Sequence, residues 1–317
     1  MERKYSHVIV LGVDGAGGFF EKADTPCFDR IFADGSVTYR ALTSNPTISA
    51  ECWGSMLIGT SPVVHGLTNQ NIGGYHPLDG ELPSVYARIR KEHPDAELGA
   101  FCCWDPIVGG IVEKELGVCT RVRSDYKGRP TIYVVEDILV TEVGEYIKAC
   151  KPEFLFVQFD SMDKEGHEHG YGSKSYINRL HEVDALIGRI YAAAEEAGTA
   201  DDTLFIVTAD HGGTFHGENI PADHGGWTDE EKYVTFAAAG KTVKKGCPEK
   251  INVRDVPAIV LYALGIDAPD FAIGGWTSQL PVGFFDDPAI ASYRDISEEE
   301  DATPRISKIQ HTSEKQG

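Results

Sequence analysis

Residues 204–227 read L-F-I-V-T-A-D-H-G-G-T-F-H-G-E-N-I-P-A-D-H-G-G-W. The first four are apolar, which is the pattern of a buried parallel strand. Asp210 and His211 follow directly, and a second Asp-His-Gly-Gly begins at Asp223 and includes His224. Carboxylates and imidazoles bind first-row metals, and open α/β sheets place their sites beyond the carboxyl ends of strands. The stretch therefore predicts a strand that ends in a metal site rather than in an incidental polar turn.

Two other apolar runs end in residues of the same types. Residues 8–13 are followed by Asp14 and a glycine-rich turn. Residues 154–159 are followed by a charged segment in which Asp163 and His167 stand four positions apart. That spacing places two side chains on one side of a helical turn. A solvated charged loop is the alternative, but the position just past a strand end favours metal ligands.

Residues 44–51, S-N-P-T-I-S-A-E, lead into a helical pattern over 49–57. Ser49 is therefore expected at or near the N-terminus of a helix. An N-cap serine is the simpler interpretation. The functional interpretation is a nucleophile near which the helix dipole and free backbone N–H groups face an anion. The residues alone leave both open.

Charge and composition restrict the possible partners. The 317 residues carry a formal net charge of −20, which argues against binding a nucleic-acid polymer through a basic face. An anionic substrate would need local positive charge, which bound metal would supply. Seven irregularly spaced cysteines, with no signal-peptide pattern and no apolar run of membrane-spanning length, predict reduced thiols and a cytoplasmic protein without a membrane partner. A homo-oligomer remains possible.

Strands and helices alternate along the chain. This predicts an α/β fold, a doubly wound α/β/α sandwich around a mostly parallel central sheet. We expect a single catalytic domain over residues 1–295 and a polar C-terminal tail over 296–317. Residues 107–133 show little periodicity and are interpreted as a small insertion, placed over the site.

The separated strand ends together carry six side chains that could bind metal. One ion needs three or four ligands, so six side chains and a hydroxyl match two divalent ions, which together can stabilise a phosphoryl group. The six are Asp14, Asp163, His167, Asp210, His211 and His224.

The order of these motifs resembles the alkaline phosphatase superfamily. They are V-D-G-A-G at 13–17, N-P-T-I-S-A at 45–50, D-x-x-G-H-x-H-G at 163–170, T-A-D-H-G-G at 208–213 and H-G-G at 224–226. The likeness is strongest to its type I phosphodiesterase/nucleotide pyrophosphatase branch and runs from about residue 8 to 264. It implies an alkaline phosphatase-like fold and two metal ions, for which the imidazole share favours Zn²⁺ and allows Mn²⁺.

The resemblance also implies roles for individual residues. Ser49 would be the nucleophile, with Thr47 as the fallback. One metal site would comprise Asp14, Ser49, Asp210 and His211, and the other Asp163, His167 and His224.

Substrate contacts are less well defined by the resemblance. The family's diesterases place an asparagine twenty-one residues past the nucleophile, where this chain has Gln70, so the neighbouring Asn69 and Asn71 are the candidates. His169 and His216 are expected outside the ligand set. Five aromatic side chains could form an apolar wall for a second ester group, namely Phe19, Phe20, Trp53, Trp104 and Tyr171.

The expected function is that of a two-metal phosphodiesterase or nucleotide pyrophosphatase that hydrolyses a small phosphorylated substrate through a phosphoryl-serine intermediate. The absence of the sulfatase motif C-x-P-x-R argues against sulfate esters. Two alternatives stay open, a phosphomonoesterase on the same scaffold and a catalytically inactive metal-binding protein.

Overall fold

A seven-stranded sheet forms the centre of the molecule. The computed structural model describes residues 1–73, 82–124, 131–248 and 250–302. The strands are β1 (His7–Val13), β2 (Ser36–Leu42), β3 (Leu98–Cys102), β4 (Cys119–Val122), β5 (Phe154–Phe159), β6 (Thr203–Thr208) and β7 (Tyr233–Ala239). They lie in the order β2-β7-β6-β1-β5-β3-β4. Only the pairings of β7 with β6 and with β2 are antiparallel, so the predicted mostly parallel α/β sheet is confirmed.

Helices cover both faces of the sheet. They are α1 (Pro26–Phe32), α2 (Ser49–Ile58), α3 (Pro62–His65), α4 (Val85–Glu92), α5 (Asp105–Gly110), α6 (Ile132–Cys150), α7 (Ser161–His169), α8 (Lys174–Glu196), α9 (Asp229–Lys232), α10 (Val256–Ala263) and α11 (Ser297–Ala302). Trp53 of α2 packs on Phe156, with ring centroids 5.6 Å apart, and Tyr146 of α6 packs on Phe101 at 5.1 Å. Phe101 pairs with Val157, so these two contacts lie on opposite faces.

The central strands are buried on both sides as a result. All six residues of β5 and of β6 are buried, as are six of the seven residues of β1. This explains why these strands read as continuous apolar runs rather than as alternating ones. In the part of the chain that the structure describes, no helix combines the length and apolarity needed to cross a bilayer.

The prediction of a small insertion near residues 107–133 is wrong for the part of this segment that the structure describes. Residues 119–122 form the edge strand β4, which pairs in parallel with β3, and α5 precedes it. Strand β4 has only four residues, none of them buried, so it lacks the apolar pattern of the central strands. Residues 125–130 of the segment lie outside the described residues.

The packed structure also continues past the predicted boundary at residue 295. Ile296 and Glu300 are buried, and α11 lies between residues 297 and 302. The first part of the expected polar tail therefore belongs to the domain. Residues 303–317 lie outside the described residues.

Gly12 in β1 tests the packing between the sheet and α2. A Cβ atom at Gly12 would lie 2.5 Å from the ring of Trp53, whereas one at Gly144 in α6 would lie 3.5 Å from the nearest heavy atom. We expect Gly12→Ala to lower the free energy of unfolding by about 1–3 kcal/mol through overpacking. The matched Gly144→Ala variant should raise it by about 0.5–1 kcal/mol, because alanine favours a helix. Urea denaturation measures both, and equal stability of the two variants would contradict the packing described.

Candidate metal centre and nucleophile

The ends of two neighbouring strands bring three buried side chains together. Asp14 follows β1, and Asp210 and His211 follow β6, which pairs with β1. His211 Nε2 lies 3.6 Å from Asp14 Oδ1 and 3.3 Å from Asp210 Oδ2. All three side chains are almost inaccessible to solvent. The sheet order thus joins two motifs that are far apart in sequence.

Each of the two carboxylates has one oxygen saturated by N–H donors and one without a partner. Asp14 Oδ2 accepts hydrogen bonds from Trp53 Nε1 and Gln158 Nε2, both at 3.0 Å. Asp210 Oδ1 accepts two backbone N–H groups at 3.0 and 2.8 Å. Asp14 Oδ1 and Asp210 Oδ2 are buried and have no hydrogen-bond partner among the described residues. Buried unpaired carboxylate oxygens are costly, and two that approach the same His211 nitrogen fit a bound cation.

The second group lies on α7, which begins directly after β5. Asp163 Oδ2 is 3.2 Å from His167 Nε2, so the predicted one-turn spacing is confirmed. His224 Nε2 is 3.6 Å from the other oxygen of Asp163. The rings of His211 and His224 stack with centroids 3.8 Å apart, which joins the two groups into one cluster.

The three imidazoles of the cluster share one orientation. The Nδ1 atoms of His167, His211 and His224 lie 3.0, 3.0 and 2.6 Å from backbone carbonyl oxygens. A carbonyl oxygen only accepts, so each Nδ1 carries a hydrogen and each Nε2 is the nitrogen that could bind a metal once it is deprotonated. Metal-binding histidines are oriented by the same kind of bond. Together with the unpaired carboxylate oxygens, this arrangement fits two divalent cations.

Ser49 lies beside the first group. It is the first residue of α2, whereas Ile48 is the N-cap, so the N-cap interpretation of Ser49 is wrong. Ser49 Oγ is 3.3 Å from His211 Nε2. The positive end of the α2 dipole therefore lies at this hydroxyl, as the functional interpretation requires.

Thr47, the fallback nucleophile, is held by structural contacts. Its buried hydroxyl donates to the carbonyl oxygen of Gly226 and accepts the N–H of Gly225, both at 2.9 Å. Its own carbonyl oxygen accepts the Nδ1 bond of His224. These contacts make Thr47 an anchor for the loop that carries His224, and they leave Ser49 as the hydroxyl that faces the cluster.

Only one of the two candidate asparagines lies at the nucleophile. Asn69 Oδ1 accepts the backbone N–H of Ala50 at 3.0 Å, which places its amide at the N-terminus of α2. Asn71 instead closes a turn, because it accepts from Thr68 N–H at 2.8 Å and donates to the carbonyl oxygen of Gly66 at 2.9 Å. The geometry therefore retains Asn69 as the substrate-contact candidate.

The prediction that five aromatic side chains form an apolar wall for a second ester group is wrong for four of them. Phe19, Phe20, Trp53 and Tyr171 are buried, and of the five only Trp104 is partly exposed. Trp53 donates to Asp14, and the Tyr171 hydroxyl donates to Asp163 Oδ1 at 2.6 Å. These side chains hold the carboxylates in place.

An open cavity of about 440 Å³ borders His224. Its wall comes from the loop between the two Asp-His-Gly-Gly repeats, from the second repeat itself and from the residues that follow this repeat. The lining residues are Thr214, His216, Asp223, His224, Gly226, Trp227, Thr228 and Glu231. His216 thus lines the cavity, while His169 lies 3.9 Å from Glu165 on the outer part of α7.

Comparison with known proteins supports the same assignment. Residues 117–259 match the family "Type I phosphodiesterase / nucleotide pyrophosphatase". This part of the chain belongs to that family. The predicted family is thereby confirmed for these residues, and the solved structures described below share the predicted α/β fold.

The curated proteins that this chain resembles are longer than the chain itself. It is 34% identical over 230 residues to GPI ethanolamine phosphate transferase 2 of Aspergillus fumigatus, covering 70% of this chain and 28% of that protein. It is 26% identical over 151 residues to GPI ethanolamine phosphate transferase 1 of Aspergillus oryzae, covering 42% of this chain and 14% of that protein. The chain therefore spans less than a third of the length of these relatives.

Several solved structures share the fold of this chain, although their sequences are only distantly similar to it. Murine ectonucleotide pyrophosphatase / phosphodiesterase 5 superposes with a TM-score of 0.65 at 15% identity, over 83% of this chain and 96% of that chain. A putative sulfatase from Bacteroides thetaiotaomicron superposes with a TM-score of 0.69 at 12% identity, over 92% of this chain and 76% of that chain.

The sequence analysis did not identify several residues that hold the proposed metal-binding side chains in place. Glu136 of α6 accepts the backbone N–H groups of Asp160 and Ser161 at 2.8 and 2.7 Å and pairs with Arg179. It thereby caps α7, which carries Asp163 and His167. Contacts between distant helices leave no local sequence signal. Asp223, to which the sequence analysis assigned no role of its own, accepts the backbone N–H of His224 at 2.9 Å.

Burial governs the electrostatics of the first group. It raises the pKa of the Asp14 and Asp210 carboxyls well above their usual range, and the negative charge of Asp163 raises both further. Burial, together with the charge of His224, lowers the pKa of His211 to about 3, so this ring is neutral at neutral pH.

Pairing governs the second group. Burial alone would lower the pKa of His167, but its bond to Asp163 raises that pKa to about 9. Burial alone would raise the pKa of Asp163, yet the neighbouring His224 and the hydrogen bond from His167 hold that pKa below its usual range. Without metal, His167 is therefore protonated at neutral pH and paired with Asp163.

Zinc binding to the metal-free protein should release a proton at neutral pH, because His167 must lose its proton to bind a cation. The apparent affinity should rise with pH until His167 has titrated near pH 9. Calorimetric titration in buffers of different ionisation enthalpy measures the release. His169→Gln, outside the cluster, should behave as wild type. Binding heats that do not depend on the buffer would contradict this ligand assignment.

Proposed function

We propose that this protein is a two-metal phosphodiesterase that uses Ser49 as a nucleophile. The proposal depends on two buried oxygens, one on Asp14 and one on Asp210, that have no hydrogen-bond partner among the described residues. They lie near His211, whose Nε2 contacts the Ser49 hydroxyl. Uncompensated negative charge next to a hydroxyl at a helix N-terminus suits cation-assisted attack on an anion. The family match supports the same class of reaction.

Seven side chains would hold the ions. Asp14, Ser49, Asp210 and His211 would bind one, and Asp163, His167 and His224 the other. The share of imidazole favours Zn²⁺, and Mn²⁺ also suits these ligand types. Bound there, the ions would supply the positive charge that lowers the pKa of a serine hydroxyl and stabilises a phosphoryl group.

The residues of the chain account for the bond changes. Ser49 Oγ loses its proton to solvent and attacks the phosphorus, and an O–P bond forms. The bond to the leaving alcohol oxygen breaks, and that oxygen keeps the electron pair and takes up a proton from solvent. Water then attacks the phosphoryl-serine, releases the phosphoryl product and restores the serine. The N-terminal dipole of α2 and the amide of Asn69 face the same phosphoryl group and orient it for attack.

Charge favours a diester over a monoester. The three carboxylates of the cluster contribute −3 and two divalent ions would contribute +4, which leaves +1 before substrate binds. A singly charged diester neutralises this charge, whereas a doubly charged monoester exceeds it and calls for additional cationic side chains. Among the described residues, no lysine or arginine forms a hydrogen bond or an ion pair with any of the seven proposed ligands.

The cavity beside His224 has room for the second ester group. It includes the partly exposed ring of Trp227. With a net charge of −20, the protein suits a small phosphorylated substrate rather than a nucleic-acid polymer.

Transfer to an alcohol is the second candidate function. The relative with 34% identity is named a GPI ethanolamine phosphate transferase. In a transferase of this mechanism, an acceptor hydroxyl would take the place of water in the second step, with the same nucleophile and ions. The presence of Ser49 and the complete ligand set argues against the catalytically inactive alternative.

The zinc-loaded protein should hydrolyse bis-p-nitrophenyl phosphate in preference to p-nitrophenyl phosphate. Ser49→Ala should lower turnover of the diester about 10³-fold or more, because the attacking atom is gone, while zinc remains bound through the other ligands. Thr47→Ser keeps the anchoring hydroxyl and serves as the matched control. A strong preference for the monoester would favour the phosphomonoesterase, and an active Ser49→Ala would exclude Ser49 as the nucleophile.

A further inference from the structure

The short C-terminal helix α11 inserts a carboxylate into the domain. Glu300 is 2% exposed and forms an ion pair with Arg254, which is fully buried at the start of the segment before α10. Its Oε2 also accepts the backbone N–H of Asn45 at 2.8 Å. The Asn45 side chain donates in turn to the carbonyl oxygen of Glu300 at 2.6 Å. Glu300 is therefore bonded on three sides.

These contacts reach the segment that carries the nucleophile. Asn45 lies four residues before Ser49, in the motif N-P-T-I-S. Arg254 also donates to Ser44 Oγ at 3.3 Å. The Glu300–Arg254 pair thus holds the backbone that leads into α2. Since removal of one partner of a buried ion pair is unfavourable, Glu300 helps to fix Arg254 and the segment that Arg254 contacts.

The next residue of α11 contacts the cavity. Asp301 accepts a hydrogen bond from the indole N–H of Trp227, which lines the cavity beside His224. Two adjacent residues of α11 therefore contact two different parts of the proposed site. Glu300 contacts the nucleophile segment, and Asp301 contacts the cavity wall.

We propose that α11 is a strap that positions the active site, with Glu300 as a positioning residue for Ser49 and Asp301 as a positioning residue for the substrate cavity. The proposal rests on the function proposed above for Ser49. A misplaced nucleophile slows the chemical step, so loss of the Glu300 contacts should act on kcat. A shifted cavity wall weakens substrate binding, so loss of the Asp301 contact should act on KM.

The test compares three variants of the full zinc-loaded chain with bis-p-nitrophenyl phosphate. Glu298→Gln is the matched control, because Glu298 is exposed on the same helix. We expect Glu300→Gln to lower kcat about 10–100-fold with bound zinc unchanged. Asp301→Ala, which removes the acceptor of the Trp227 hydrogen bond, should raise KM several-fold with kcat close to that of the control. All assays are run well below the Tm of each variant, so that a change in stability alone does not alter either constant.

Equal kcat in Glu300→Gln and Glu298→Gln would overturn the role of Glu300, as would a loss of activity that only follows a loss of zinc. If Glu300→Gln does not fold, the exposed Asp301 still decides the matter, and an unchanged KM in Asp301→Ala would overturn the strap. Ser49→Ala separates the two proposals. If that variant is inactive while the α11 variants match the control, the strap fails and the hydrolase proposal stands. If Ser49→Ala is active, the hydrolase proposal itself fails.

Discussion

Two buried carboxylate oxygens near the same His211 nitrogen, to which no described residue donates a hydrogen bond, are the constraint on which the site depends. The fold supplies N–H donors to the other oxygen of each carboxylate and leaves these two unsatisfied. Such an arrangement is unfavourable in the absence of positive charge. Burial of the two carboxyls raises the pKa values of Asp14 and Asp210, and the Ser49 hydroxyl lies beside the same His211 nitrogen.

The sheet order brings these groups together. Strand β1 lies between β5 and β6, so the segments after the three strands meet at one edge. Asp14 and Asp210 come from adjacent strands, and α7 carries Asp163 and His167 in from the third. The second Asp-His-Gly-Gly then returns to the same place, because Thr47 binds both the ring of His224 and the glycines that follow it. The nucleophile segment and the loop that carries a proposed ligand are therefore one packed unit.

Much of this was predictable because buried parallel strands leave a continuous apolar pattern with their ligands directly beyond it. The strands around residues 8, 154 and 204, the ligand candidates and the hydroxyl of Ser49 could all be located in this way. The edge strand β4 could not, since it is short and half-exposed. Nor could the roles of Trp53 and Tyr171, because an aromatic residue reads as apolar although its polar tip can hold a carboxylate. The attachment of α11 depends on one glutamate within an acidic run, and local composition does not distinguish a buried glutamate from a solvated one.

Anomalous diffraction at the zinc edge, from crystals of the zinc-loaded protein, tests the central claim most directly. The account predicts two peaks. One should lie within bonding distance of Asp14, Asp210, His211 and the Ser49 hydroxyl, and the other within bonding distance of Asp163, His167 and His224, at the Nε2 atom of each histidine. Zinc found only at other surface sites, or a Ser49 side chain turned away from the first ion, would contradict it.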